Sequence, residues 1–247
     1  MYLEIPTIAK PETVGSNAMS DTTFILKLDN YEAEDIGDVV SKLENSFGIK
    51  FSNETFTRVK TFGELCDVFE AHVTYENYDD CTKQQAFYKI RKAVSSTHML
   101  DEREITLDTE LSALFPKHNR RQKIREFQTY LGVKVRILTY PDWLALALVL
   151  GIFLSLIAFF FDWKVAVIGL TFFSLSIRFA GWFGKTFLVE TVRQLTERTV
   201  REHYSDIRRR EMTVNRTEVV PIIIETFSSD LDIDKTNLTR DAKFSWA

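Results

Sequence analysis

Eighteen consecutive residues, Leu144 to Phe161 (LALALVLGIFLSLIAFFF), carry no charge, and a second apolar run, Val165 to Gly184, follows after only Asp162-Trp163-Lys164. A helix of about 18 or more uncharged residues can cover the roughly 30 Å hydrocarbon core of a bilayer. Two such runs joined by a three-residue turn are expected to form a transmembrane hairpin, which leaves both flanking polar segments on one side. Lys134 and Arg136 precede the first run, and Lys185, Arg193, Arg198 and Arg208-Arg209-Arg210 follow the second. This basic excess predicts an integral membrane protein whose soluble parts both face the cytoplasm. Trp143, Trp163 and Trp182 stand at the ends of the runs, where indole rings favour the headgroup level. Arg178 is the one charge within the second run. It is close enough to the end to reach headgroups, and no carboxylate in either run could partner it. The hairpin therefore reads as an anchor and not as a conducting path.

The polar remainder is helical in pattern. Ile36, Val39, Val40, Leu43 and Phe47 recur at helical spacing before Gly48, a residue that ends helices. Ser52 to Thr55 signals the start of a brief helix, and Phe62, Leu65, Val68 and Phe69 share one face of another. Phe87, Ile90 and Val94 mark a further helix. Ile105 to Phe115 reads as a loop with apolar anchors ending at Pro116, and Ile124, Phe127 and Leu131 mark the helix beyond it. Before Thr23, Pro6, Pro11, Gly15, Ser16 and Asn17 and the lack of a long apolar core predict a flexible tail.

Two echoes suggest that one module occurs twice. Leu131-Gly132-Val133-Lys134-Val135 repeats the pattern of Phe47-Gly48-Ile49-Lys50-Phe51, and Lys185-Thr186-Phe187 repeats Lys60-Thr61-Phe62. The second pair is separated by a longer stretch, and the excess is about the size of the hairpin. The expected organisation is a tail over 1–22, a first module over 23–75 and a second module opening over 76–141. The hairpin over 142–184 is inserted into that second module, 185–211 closes it, and a C-terminal helix occupies 212–247.

These patterns resemble the acyl carrier protein family, a four-helix bundle with a long helix II, a short helix III and a helix IV. Val39 to Phe51 is similar to the end of helix II and the loop after it, Glu54 to Val59 to helix III, and Thr61 to Leu65 to the start of helix IV. The resemblance implies an all-α fold of two small carrier-like bundles plus a two-helix transmembrane hairpin. Carriers attach phosphopantetheine to a serine at the start of helix II. Alignment places Ala33 and Lys117 there, and neither has a hydroxyl. The resemblance therefore implies modules without the prosthetic group, and no cofactor is expected. In the tail, Glu218 to Phe227 is helical, while Leu231 to Asp234 and Leu238 to Phe244 resemble a carrier's helix I region and its following loop. The first module lacks a clear helix I of its own. The C-terminal segment is therefore expected to pack on residues 30–72 and complete it, within the chain or in a neighbour.

Charge suggests where partners bind. Glu32, Glu34, Asp35 and Asp38 crowd the first helix II equivalent, much as carriers present acidic surfaces to basic enzyme patches. Arg120, Arg121, Lys123 and Arg125 make the second equivalent basic, suited to an acidic carrier, the other module or anionic lipid. Nucleic acid is not an expected partner, because the chain carries a net charge of −4 and shows no interleaved basic and aromatic residues. No GxSxG, Walker, GxGxxG or HExxH motif occurs, and His72, His98, His118 and His203 are dispersed. Only His98, near Asp101 and Glu102, suggests an acid–base pair. Cys66 and Cys81 lie far apart and read as reduced thiols, with no metal-ligand spacing. The expectation is a non-catalytic, membrane-anchored adaptor that docks an acyl carrier or an acyl-processing or biosynthetic enzyme. Two alternatives stand beside it: a genuine carrier using Ser41 or Ser112, and a small membrane subunit of a larger complex.

Overall fold

The structure, a computed structural model, describes residues 27–28, 31–52 and 54–246, apart from the side chains of 27, 142 and 180–183. The expected tail over 1–22 lies outside the described residues. After β1 (Lys27–Leu28) come α1 (Ala33–Phe47), α2 (Phe62–His72), β2 (Glu76–Asn77), α3 (Thr82–His98), α4 (Leu111–Leu114) and α5 (Arg120–Leu131). They are followed by β3 (Leu138–Thr139), α6 (Asp142–Ala158), α7 (Trp163–Phe183), β4 (Thr186–Phe187), α8 (Val192–Glu202) and α9 (Tyr204–Ile207). The chain closes with β5 (Thr213–Val214), α10 (Arg216–Leu231) and β6 (Lys243–Phe244). The fold is mostly helical. Its strands are two-residue pairs that tie distant segments together: β1 with β6 and β2 with β5 in parallel, and β3 with β4 antiparallel.

Two apolar cores organise the body. The first joins α1, α2 and α10: Leu43, Phe47, Phe62, Phe69, Ile223, Phe227 and Phe244 are buried in it. Phe62 meets Phe227 edge-on at 5.2 Å, and Phe47 lies 5.0 Å from Tyr204, in the separation range that aromatic pairs favour. The second core joins α3, α5 and α8 around Ile90, Phe115, Phe127 and Leu195. Helices α3 and α8 serve both cores. Ala86 and Val200 turn toward the first, while Ile90, Val94 and Leu195 turn toward the second. The first core is thus assembled from both ends of the described chain, and Val133 packs against both cores.

The two halves share a set of backbone hydrogen bonds. Phe62 N donates to Ala242 O at 2.9 Å, Gly63 N to Arg240 O at 2.9 Å, and Phe244 N to Lys60 O at 3.0 Å. The same pattern recurs where Val192 N donates to Thr109 O at 3.0 Å, Arg193 N to Leu107 O at 2.8 Å, and Leu111 N to Glu190 O at 2.8 Å. Isolated bridges pair Thr61 with Lys243 and Glu110 with Thr191. Thr61 caps α2 by accepting from Glu64 N, and Thr191 caps α8 by accepting from Gln194 N; each cap satisfies a donor that a helix start leaves open. Asp101 and Asp234 each cap a short 3-10 turn, and Met99 and Asp232, just upstream, both end their helices in the left-handed region at φ 56° and 53°. Gly48 and Gly132 do the same after α1 and α5, at φ 68° and 84°, where a Cβ would be strained. The units are therefore α10–α1–α2 and α3–α5–α8. The echo at Lys185-Thr186-Phe187 requires correction. Thr186 and Phe187 form β4 and pair with Thr139 and Leu138, and the counterpart of Thr61 is Thr191. A Lys-Thr-Phe triplet is a short pattern; the cap geometry is what defines the position.

Between β3 and β4 the chain leaves the body as α6 and α7. The expected transmembrane spans need correction as well: among the described residues no helix is long and apolar enough to cross a membrane. Phe159-Phe160-Phe161 belongs to the turn, so α6 has 17 residues, a rise of about 25 Å against a hydrocarbon core of roughly 30 Å. Lys164 and Arg178 interrupt α7, together with Gly169, Thr171, Ser174 and Ser176.

Candidate functional site

Helices α6 and α7 pack on one another and, among the described residues, make no extensive contact with the rest of the chain. Small residues allow the close approach: a Cβ at Gly151 would meet the Phe173 ring, and one at Gly169 the Ser155 hydroxyl. Three hydroxyls of the pair and the Asp162 carboxylate bond to nearby backbone. Ser155 donates to Gly151 O, Thr171 to Val167 O and Ser176 to Phe172 O, all at 2.7–2.8 Å, and the Asp162 carboxylate accepts from Lys164 N at 2.8 Å to cap α7. The outward surface is mostly hydrocarbon, broken by the exposed Lys164, Thr171, Ser174 and Arg178. The Phe159-Phe160-Phe161 tip is 62%, 89% and 87% exposed. Three aromatic side chains so exposed alone approach the roughly 300–600 Å² of the largest patch on an ordinary monomer. Leu146, Phe153, Leu154, Ile168 and Phe172 extend that patch along both helices, Trp143 and Trp163 are exposed at opposite ends, and Arg178 is exposed on α7. The side chain of Trp182 lies outside the described residues.

The neck beneath the hairpin is held by α5. Arg120, an expected docking residue, is corrected by its burial. It is 5% exposed, its guanidinium donates to Phe115 O and Lys185 O, and it stacks over the Phe187 ring at 4.1 Å. Burial lowers its pKa from the ordinary arginine value. It clamps β4 onto the second core and is not presented to a partner. Arg121 donates twice to Gly184 O, at 2.9 and 3.2 Å, fixing the end of α7. Lys123 pairs with Glu126 at 2.8 Å and donates to Thr97 O at 3.0 Å. Arg125 is the exposed member of the set. It lines a cavity of about 400 Å³ with Arg121, Arg136, Ile124, Ile137 and Gly184 among its walls. Sequence reasoning used Arg136 only for orientation. Its position opposite α5 follows from the β3–β4 pairing, for which the sequence carries no short motif.

The acidic cluster sits at the start of α1. Glu32, Glu34, Asp35 and Asp38 are all exposed, and the Asp35 carboxylate accepts from Glu32 N at 3.2 Å. Negative charge at this end is favoured by the helix dipole. Ala33 is exposed within that cluster, and Lys117 is exposed ahead of α5. The four carboxylates and Ala33 share one exposed stretch at the start of α1.

The Arg208-Arg209-Arg210 run divides. Arg209 and Arg210 are exposed, and Arg210 lies over the Tyr78 ring at 3.8 Å, whereas Arg208 is 4% exposed and bonded within the body. Nothing in three consecutive arginines indicates which of them turns inward. The expected acid–base pairing of His98 with Asp101 and Glu102 is replaced by another environment. Its ring meets Phe115 at 5.2 Å, and the charged groups acting on it are Lys123 and Glu126. Burial, and then the Lys123 charge, push its pKa down. Cys66 is buried in the first core, which pushes its thiol up to about 12, while Cys81 is exposed; both thiols are free. Among the described residues no group of three His, Cys, Asp or Glu side chains is placed to hold a metal ion.

Comparisons with protein-family models, curated proteins and solved structures find no match for this chain.

Proposed function

We propose that this protein is a non-catalytic adaptor held at a membrane by its apolar hairpin, with both helical modules on the cytoplasmic side. The observation that carries this reading is the hairpin itself, a pair of helices whose outward surface is mostly hydrocarbon and in which Ser155, Thr171 and Ser176 bond back to their own backbone. Such a surface in water would drive association, and a bilayer is the apolar phase that covers it. The hairpin embeds from one face, and the tip Phe159-Phe160-Phe161 is its deepest apolar element. Flotation tests this. The full chain should float with phosphatidylcholine vesicles, and a variant with residues 142–183 replaced by a short Gly-Ser linker should remain in buffer as a monodisperse species. A full chain that stays monodisperse without lipid and ignores vesicles would end the membrane reading.

The modules supply the docking part. A long helix ended by a left-handed glycine, a turn over 54–58 where the sequence predicts a brief helix, and then a Thr-capped helix support a likeness to acyl carrier proteins in which Ala33 and Lys117 replace the attachment serine. The exposed acidic start of α1 is the face offered to a basic acyl-processing or biosynthetic enzyme. Incubation with a phosphopantetheinyl transferase and coenzyme A should leave the intact mass unchanged. Ser41 is exposed in mid-helix and Ser112 is exposed in α4. A mass gain of one phosphopantetheine on either would convert the adaptor into a genuine carrier.

A further inference from the structure

The groove at the foot of the hairpin has a composition that the membrane reading does not by itself require. Arg121, Arg125 and Arg136 line it, and among the described residues no carboxylate does. Arg121 and Arg125 are one helical turn apart on α5, so both guanidiniums rise from one face. Arg136 comes from the segment between Gly132 and β3, and Gly184, the residue that ends α7, closes the groove on the hairpin side. The floor is apolar: Ile124, Val135 and Ile137 are buried there. Arg121 is anchored to Gly184 O, whereas Arg125 and Arg136 are exposed and make no ion pair among the described residues.

We propose that this groove is a binding site for the phosphodiester headgroup of an anionic phospholipid, of which phosphatidylglycerol is the simplest form. The inference rests on the hairpin being embedded in a bilayer. Guanidinium forks match two phosphate oxygens at once, a geometry that a diffuse basic surface does not offer. Three cations among the described lining residues select a lipid of net negative charge and repel the choline cation of a zwitterionic one. The apolar floor receives the glycerol backbone and the first carbons of the acyl chains. The groove is flanked by Leu138, the strand residue from which the chain continues into α6, and by Gly184, where it returns from α7. An occupant there lies at the level at which the hairpin leaves the body, which is where a headgroup of the surrounding leaflet would sit.

Native mass spectrometry of the full chain in detergent, titrated with phosphatidylglycerol and phosphatidylcholine of equal chain length, tests the site. The expected result is one phosphatidylglycerol retained at concentrations where phosphatidylcholine is not. R125A/R136A should weaken that retention by roughly tenfold to thirtyfold, from the usual contribution of two basic residues near an anionic headgroup. R58A/K60A, which removes two exposed cations from the other module, should leave it unchanged. Equal retention of both lipids, or an equal loss in the two double variants, would overturn the site. Displacement of the lipid by soluble glycerol 3-phosphate at comparable concentration would overturn the lipid as its ligand. Arg125 and Arg136 are exposed, so an unchanged melting temperature for R125A/R136A is expected and separates loss of binding from loss of fold. Failure to float with neutral phosphatidylcholine vesicles would remove the hairpin reading; flotation without phosphatidylglycerol preference would remove the groove assignment alone.

Discussion

Arg208→Ala will destabilise the chain by about 3 kcal/mol, the lower end of the cost of breaking a buried ion pair, and lower its melting temperature by roughly 6–12 °C for a protein of this size. The Arg208 guanidinium donates to Thr82 Oγ1 at 2.8 Å, to Tyr78 O and Thr213 Oγ1 at 3.0 Å, and to the Asp80 carboxylate. The Glu218 carboxylate lies 4.0 Å away and accepts from Thr82 N at 2.9 Å and from Tyr204 Oη at 3.2 Å. Tyr204 Oη in turn accepts from Asn215 N at 2.9 Å. Burial raises the phenol's pKa above its ordinary value, which keeps it protonated as a donor. Alanine would leave two carboxylates facing one another across a cavity, with several acceptors unpartnered. The lower figure is chosen because Asp80 and Glu218 keep part of their hydration. Arg208→Lys, which restores the charge without the fork, should recover part of the loss. Circular dichroism of the detergent-solubilised full chain measures both variants. The network joins the segment leading into α3 to the segment leading into α10, so melting should remain a single transition that moves as a whole. A shift of under 2 °C for the alanine variant would show that the network contributes little.

Ending the chain after Asn215 will have a larger effect: the N-terminal helices will lose their fold. The removed segment contributes Val219, Ile222, Ile223, Phe227, Ile233, Leu238 and Phe244 to the first core. At about 1.5–3 kcal/mol for each fully buried large side chain, their loss is on the order of ten kcal/mol or more, comparable to the whole stability of a typical domain. The cut also removes the β6 partner of β1, the Tyr31 Oη bond to Leu231 O, and the ion pairs Lys42–Asp230 and Asp67–Arg240. Amide hydrogen exchange reads the result residue by residue. Amides of α1 and α2 should lose protection, while those of α5, whose core is built from α3 and α8, should keep it. A peptide of residues 213–247 added back should restore part of the protection. If α1 and α2 exchange at unchanged rates in the shortened chain, the first core does not need α10.

The helices themselves were largely legible as pattern. Ile36, Val39, Leu43 and Phe47 recur at helical spacing and become the buried stripe of α1. Gly48 and Gly132 occupy left-handed positions where their pattern places a helix end. The apolar runs around Trp163 become a pair of contacting helices, but their ends were less legible. A triple phenylalanine continues an apolar run on paper, yet it forms the turn in three dimensions, and α6 is shortened accordingly. Of the basic cluster on α5, sequence reasoning could not separate the residue that clamps the neck, Arg120, from the one that faces solvent, Arg125. Both lie in one charge run, and only the position of β4 decides which guanidinium is covered. The same applies to Arg208 beside Arg209 and Arg210.

Sequence alone determined most local features of this protein: which longer segments are helical, where glycine and threonine end and begin them, and that two adjoining runs are almost wholly apolar. Those properties depend on neighbours within a few residues, where steric preference, capping and side-chain period act. Tertiary structure decided what the sequence left open: that α10, expected to complete the first module within the chain or in a neighbour, packs on α1 and α2 of its own chain, that Thr191 and not Thr186 is the counterpart of Thr61, and that Arg136 lies across a groove from Arg125. Each of these depends on contacts between residues far apart in the chain, whose geometry is set by the shape of two cores and by no short stretch of letters.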